Sequence, residues 1–181
     1  DQAVSRGLGD VYKRQSMAGK RTGSLYARRL QKERSIPTSE IEGRINWSLP
    51  VLAQNSKTSV SLDLPIHYCQ PTAACSSVCY ACQGTQYFKG SVVKSLALAR
   101  MIEQSPERVA RKAVDEAQGR TIRIAGSGDI LPEHKTLIDY IEQYSGRWWG
   151  FTRRVDTHRV LPDLMFLSLI HISEPTRHCL I

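Results

Sequence analysis

A chain of 181 residues, 41% hydrophobic and 23% charged, has ordinary globular composition and enough length for one real core, which argues against disorder. No run approaches the roughly 18 apolar residues needed to span a bilayer, and no charged head followed by an apolar signal core opens the chain, so membrane-spanning and secreted classes are set aside and the cytoplasm is expected. The net charge of +8 keeps nucleic acid among the partners to weigh.

The opening stretch DQAVSRGLGDVYKRQ resembles a translated sequencing-library adapter, and LSLIHISEPTR, from Leu167 to Arg177, resembles a second. Residues 1–15 and 166–181 are therefore expected to be scars outside the fold, which removes His171, His178 and Cys179 as ligands. The natural chain is then expected to run on past Leu164, and a chain cut there to be inactive. Removing both ends leaves +7 of the +8, because the first carries three basic and two acidic residues and the second one of each. Much of that excess lies in GKRTGSLYARRLQKER, with Lys20, Arg21, Arg28, Arg29, Lys32 and Arg34. This basic N-terminal arm or subdomain, residues 16–57, reads either as a phosphate-binding element or as a solvated helix face. No aromatic interleaving accompanies it.

Residues 58–64, TSVSLDL, alternate apolar and polar and stop at Pro65, which predicts a strand. The cysteine loop follows. Ser91 can cap a helix carrying Val92, Val93, Leu96, Ala99 and Met101, and Ser105-Pro106-Glu107 opens another that Gly119 ends. RTIRIA, 120–125, is a strand broken by the turn GSGD, Gly126 to Asp129. Pro132 opens a third helix with Leu137, Ile138 and Ile141 on one face, Gly146 closes it, and RWWGFT, 147–152, is an aromatic strand with Trp148 and Trp149 packing on opposite faces. The order predicts an α/β fold of parallel βαβ units, a single domain over 58–165. Sites in parallel α/β folds gather at the carboxyl ends of strands, so the cysteine loop, GSGD and TRR should converge.

That cysteine run, CQPTAACSSVCYAC, holds four of five cysteines within fourteen residues, Cys69, Cys75, Cys79 and Cys82. In a reducing compartment such a cluster is a metal or catalytic site before it is a disulfide set. Structural zinc favours two well-separated pairs of ligands, whereas a C-x3-C-x2-C spacing in one loop suits a cluster whose irons are held by thiolates from one wrapped segment. Zinc on all four cysteines stays open. A thiol nucleophile could use His67 as base but needs one thiol, so His67 is expected to pack beside the loop. Thr152 and Arg153 could meet a carboxylate or ribose, and Asp156, His158 and Arg159 are given no role.

CSSVCYAC, with Tyr80 in the aromatic place, resembles the C-x3-C-aromatic-x-C motif of the radical S-adenosylmethionine superfamily. The resemblance implies the first half of a partial (β/α) barrel and three cysteines holding a four-iron (4Fe-4S) cluster. The open iron is chelated there by S-adenosyl-L-methionine, which reduction cleaves to a deoxyadenosyl radical. It also places Gly126, Ser127, Gly128 and Asp129 where that superfamily's turn meets the cofactor's amino group. Glycines let backbone approach a ligand, and an acid accepts from an ammonium.

From about Ser59 to Arg153, the segments LPIHYCQPTAACSSVCYACQG, IAGSGD and GFTRR resemble the phage and bacterial family called gene product 88. That family has a Cys-Pro-rich loop, a C-x3-C-Tyr-Ala core and an SGD turn; here Cys69-Gln70-Pro71 replaces Cys-Pro. Its regular set matches Cys69, Cys75 and Cys79, which leaves open whether Cys69 or Cys82 completes the ligands. The expectation is a phage-encoded or bacterial iron–sulfur enzyme on an unknown substrate. The competing one is a zinc-stabilised module that binds nucleic acid through the basic arm.

Overall fold

A computed structural model describes residues 24–55 and 59–166. The adapter-like stretches lie outside these residues except Phe166, which ends the last strand. Lys20 and Arg21 also lie outside. Among the described residues the chain builds a mixed α/β fold with seven α-helices and one five-stranded, mostly parallel sheet.

The basic stretch is helical where it is described. Ser24 caps α1 (Leu25–Arg34) by accepting from the Ala27 amide at 3.0 Å, and α2 (Thr38–Arg44) follows. β1 (Ala53–Asn55) then lies antiparallel to β2 (Ser59–Leu62), an edge pairing with no periodic signal in AQN. The Glu116 carboxylate holds this entry in place, accepting from the Val51 and Leu52 amides at 2.9–3.1 Å.

The cysteine run is a folded segment, not an open loop. It comprises α3 (Ala73–Val78), capped by Thr72, and short 3-10 turns at Tyr80–Cys82 and Gly84–Tyr87. α4 spans Lys89–Gln104 and begins two residues before Ser91. The preceding turn leads straight into it, with Val92 N donating to Phe88 O, while the Ser91 hydroxyl bonds Thr85 O instead of capping. α5 (Pro106–Ala117) starts on its proline and ends through Gln118 and Gly119, both left-handed.

β3 (Ile122–Ile124) leads through GSGD to a 3-10 turn at Pro132–His134, α6 (Lys135–Gln143), β4 (Trp148–Thr152), α7 (Val155–Val160) and β5 (Met165–Phe166). The sheet order is β1-β2-β3-β4-β5, with β2 to β5 parallel. Phe166 pairs with Thr152 in this sheet, so the fold includes the first residue of the expected C-terminal scar.

The two faces of the sheet differ in chemistry. Val60, Leu62, Ile122 and Ile124 are fully buried and share a core with Val109, Ala110 and Ala113 of α5 and Leu137, Ile138 and Ile141 of α6. Register puts Ser61 beside Arg123 and Arg123 beside Trp149 on the other face, where Trp149 meets Phe151 edge-on. Trp148 packs toward the core, so the tryptophans do take opposite faces. No helix among the described residues is long and apolar enough to cross a membrane.

Candidate functional site

The carboxyl ends of β2, β3 and β4 bring together the three segments expected to converge. Leu64 N donates to Ser127 O at 2.9 Å, and the buried Ser127 hydroxyl donates to Leu64 O at 3.1 Å. The turn after β3 is thereby clamped on the segment leaving β2. A Cβ on Gly126 would collide with the Ser61 and Asp63 side chains, and one on Gly128, at φ +74°, would come within 2.5 Å of Leu64 O and Pro65 O. Both glycines thus allow the close approach of two protein segments. Ala125, also left-handed at φ +54°, turns the chain into GSGD, and an alanine there stores about 1–2 kcal/mol of strain.

Asp129 is 4% exposed, and its carboxylate accepts from Ile130 N at 2.8 Å and Arg153 N at 3.1 Å. Burial pushes its pKa up, against those amides and the Thr152 hydroxyl. It ties the β3 turn to the end of β4, and Thr152, also buried, accepts from Arg154 N. Arg154 reaches back to Tyr68 O at 3.2 Å and pairs with Asp156 on the exposed side. Arg153 Nη1 is buried without a hydrogen-bond partner, as is Arg154 Nε, and the Arg153 charge acts on Cys75.

The four cysteines are free thiols, Cys82 buried and the others half-buried. Cys79 lies between Cys75 and Cys82 and shares hydrogen bonds with both, because C-x3-C spans one turn of α3 and its exit and the next turn brings in Cys82. That series spreads the acidities. The hydrogen bond to Cys79, then burial, pushes Cys75 well above the usual thiol range. Cys79 is pulled down by Cys75 but held up, on balance, by its bond to Cys82 and by burial. Cys82 alone is lowered, by the bond from Cys79 and then the Arg29 charge, against burial. Burial drives Cys69 up, and the charges of Asp129, Cys79 and Cys75 add to it. Among the described residues no three His, Cys, Asp or Glu side chains are already gathered around one metal-ion position.

Further side chains complete the surroundings, among them Arg123, Tyr26 and Glu33, which carry no signal in the sequence. The Tyr80 hydroxyl donates to the Gly126 carbonyl and accepts from Arg123 Nη2 at 3.1 Å, which fastens the cysteine segment to the turn. Tyr26 of α1 donates to Ile66 O at 3.1 Å, and burial raises its pKa to about 12. Glu33 accepts from Ile66 N, His67 N and His67 Nδ1, so His67 packs beside the cysteines through a carboxylate. Of the basic arm, Arg29 is fully buried beneath the cysteine segment and Lys32 is engaged by Tyr87, through its carbonyl at 2.6 Å and its ring. Between the segment and the polar sheet face lies a cavity of about 380 Å³ lined by Ser61, Asp63, Tyr80, Gln86 and Arg123.

Comparison of the chain with family models, curated proteins and solved structures gives no match.

Proposed function

We propose that this chain is an iron–sulfur protein of the radical S-adenosylmethionine-like kind, related to the gene product 88 family, whose parallel strands form part of a partial (β/α) barrel. The observation that carries the reading is the thiol series Cys75–Cys79–Cys82 at the carboxyl edge of parallel strands, facing GSGD and the end of β4. Thiolates presented from one wrapped segment suit a multi-iron cluster, and the series favours these three as ligands, with Cys69 beside Asp129 in support. The strand order also supports the barrel. Successive parallel strands advance in one direction, which with right-handed crossovers puts the connecting helices on one face of the sheet.

When bound, a cluster with an open iron supplies one-electron reduction of a chelated S-adenosylmethionine. Of the expected cofactor contacts, Arg153 has the donor to spare for a carboxylate, whereas Asp129 and Thr152 are committed to the backbone around the site. Gly126, Ser127 and Gly128 contribute the shape of the turn. The cavity beside Tyr80 is the place for substrate, and Asp63 with Arg123 fits a polar molecule.

Anaerobic reconstitution with iron and sulfide tests this directly. The chain is expected to turn brown, its reduced cluster spectrum to change on adding S-adenosylmethionine, and Cys75→Ser and Cys79→Ser to stay colourless. A colourless protein with one tight zinc, and salt-sensitive nucleic-acid binding that survives both substitutions, would establish the competing zinc module.

A further inference from the structure

Arg29 is an anomaly that the cysteines alone do not explain. It is 0% exposed, and Nε, Nη1 and Nη2 all lack a hydrogen-bond partner. Glu33, one turn on, comes within 3.5 Å of Nη2. Its oxygens turn to the next segment, Oε1 accepting from Ile66 N at 2.9 Å and Oε2 from His67 N at 3.2 Å and His67 Nδ1 at 3.0 Å. At 3.5 Å the carboxylate offsets part of the Arg29 charge without a hydrogen bond to any guanidinium nitrogen. Each buried, unmet donor costs about 1–3 kcal/mol, more on a charged group, so a guanidinium left this way signals a partner of opposite charge.

The neighbours identify that partner. α1 packs on α3 and on the turn carrying Cys82, and the Arg29 charge acts on Cys82 and Cys79. On the far side, Arg153 Nη1 is likewise buried and unpartnered beside Cys75. Two cationic groups with free donors thus flank the thiol series, where thiolates and inorganic sulfide would place net negative charge.

Building on the iron–sulfur reading above, we propose that Arg29 is a positioning residue for the cysteine-held cluster, donating hydrogen bonds on its Cys82 side and raising its reduction potential. Reduction adds one electron to the cluster. A fixed cation and hydrogen bonds to sulfur stabilise the more negative state, so their loss makes the electron harder to add.

The test uses the full chain and its Arg29→Gln and Arg29→Lys variants, reconstituted anaerobically with iron and sulfide. Bound iron and acid-labile sulfide are measured, and each protein is then titrated with dithionite under electron paramagnetic resonance. Arg29→Gln is expected to hold its cluster less tightly and to lower the one-electron reduction constant at least tenfold, about 59 mV. Arg29→Lys should recover most of the midpoint, because it keeps the charge. Should Arg29→Gln not fold, Glu33→Gln serves instead: it removes the opposing carboxylate, and the midpoint must rise. A cluster-bearing Arg29→Gln or Glu33→Gln protein with an unchanged midpoint overturns the assignment while leaving the iron–sulfur reading intact. An unsubstituted chain that takes up no iron and sulfide overturns both.

Discussion

Alanine at Gly128 should damage this protein more than alanine at an equally left-handed glycine elsewhere. Gly128 has φ +74°, and its added Cβ would lie 2.5 Å from Leu64 O and Pro65 O, some 0.9 Å inside the 3.4 Å at which ordinary contact starts. Gly119 is the control, with φ +78° and nothing within 4 Å of the added carbon. Both substitutions bear the left-handed strain of about 1–2 kcal/mol, offset by about 0.4–1 kcal/mol from a stiffer unfolded chain. Only at 128 must the backbone leaving β2 move, which adds about 1–3 kcal/mol. The expected losses are about 1 kcal/mol for Gly119→Ala and about 3 kcal/mol for Gly128→Ala, read from urea unfolding followed by tryptophan fluorescence. Gly128→Ala should also lower iron uptake, since the same shift moves the segment that leads to Cys69. Equal destabilisation by the two substitutions, within about 0.5 kcal/mol, would refute the close packing of the turn on Leu64 and Pro65.

Three further outcomes follow from the same geometry. Cys82→Ser should abolish iron uptake as fully as Cys75→Ser does, whereas Cys69→Ser should retain most of it; the reverse order in metal analysis would restore Cys69 to the ligand set. Tyr80→Phe removes the link between Gly126 and Arg123, costing about 1 kcal/mol, and should speed amide exchange at residues 126–128 in mass-spectrometric hydrogen exchange. His134 is buried, and its Nδ1 accepts from Leu131 N at 3.2 Å; burial lowers its pKa, so the unfolded chain binds its proton first as pH falls. Stability should therefore decline below about pH 6.5, by at most about 1.4 kcal/mol per pH unit from this group, and His134→Gln should flatten that slope in urea midpoints taken at pH 7 and 5.

The strand and helix order from residue 59 to 152 was legible because its signals are local. Pro106 sets a helix start, left-handed Gly119 a helix end, and Ile122 with Ile124 alternate about Arg123 as a one-sided strand must. The gathering of the cysteines, GSGD and the end of β4 followed from parallel topology alone. Other features depend on what packs against them. Arg29 and Glu33 sit in YARRLQKER, whose composition reads as a solvated face, and their burial is set by a cysteine segment some forty residues away. β1 is a three-residue edge strand, too short for a periodic signal, and Glu116 anchors the two residues that lead into it. The turn GSGD marks Gly126 and Gly128 in the sequence, but their packing against Ser61, Asp63, Leu64 and Pro65 exists only in three dimensions.

Metal content is the sharpest test of whether Cys75, Cys79 and Cys82 hold an iron–sulfur cluster. The full chain, produced and purified without oxygen from cells supplied with both iron and zinc, is analysed for iron, zinc and acid-labile sulfide. Iron and sulfide are expected in near-equal amounts, about four of each per chain, with little zinc. About one zinc per chain without sulfide would contradict the iron–sulfur reading.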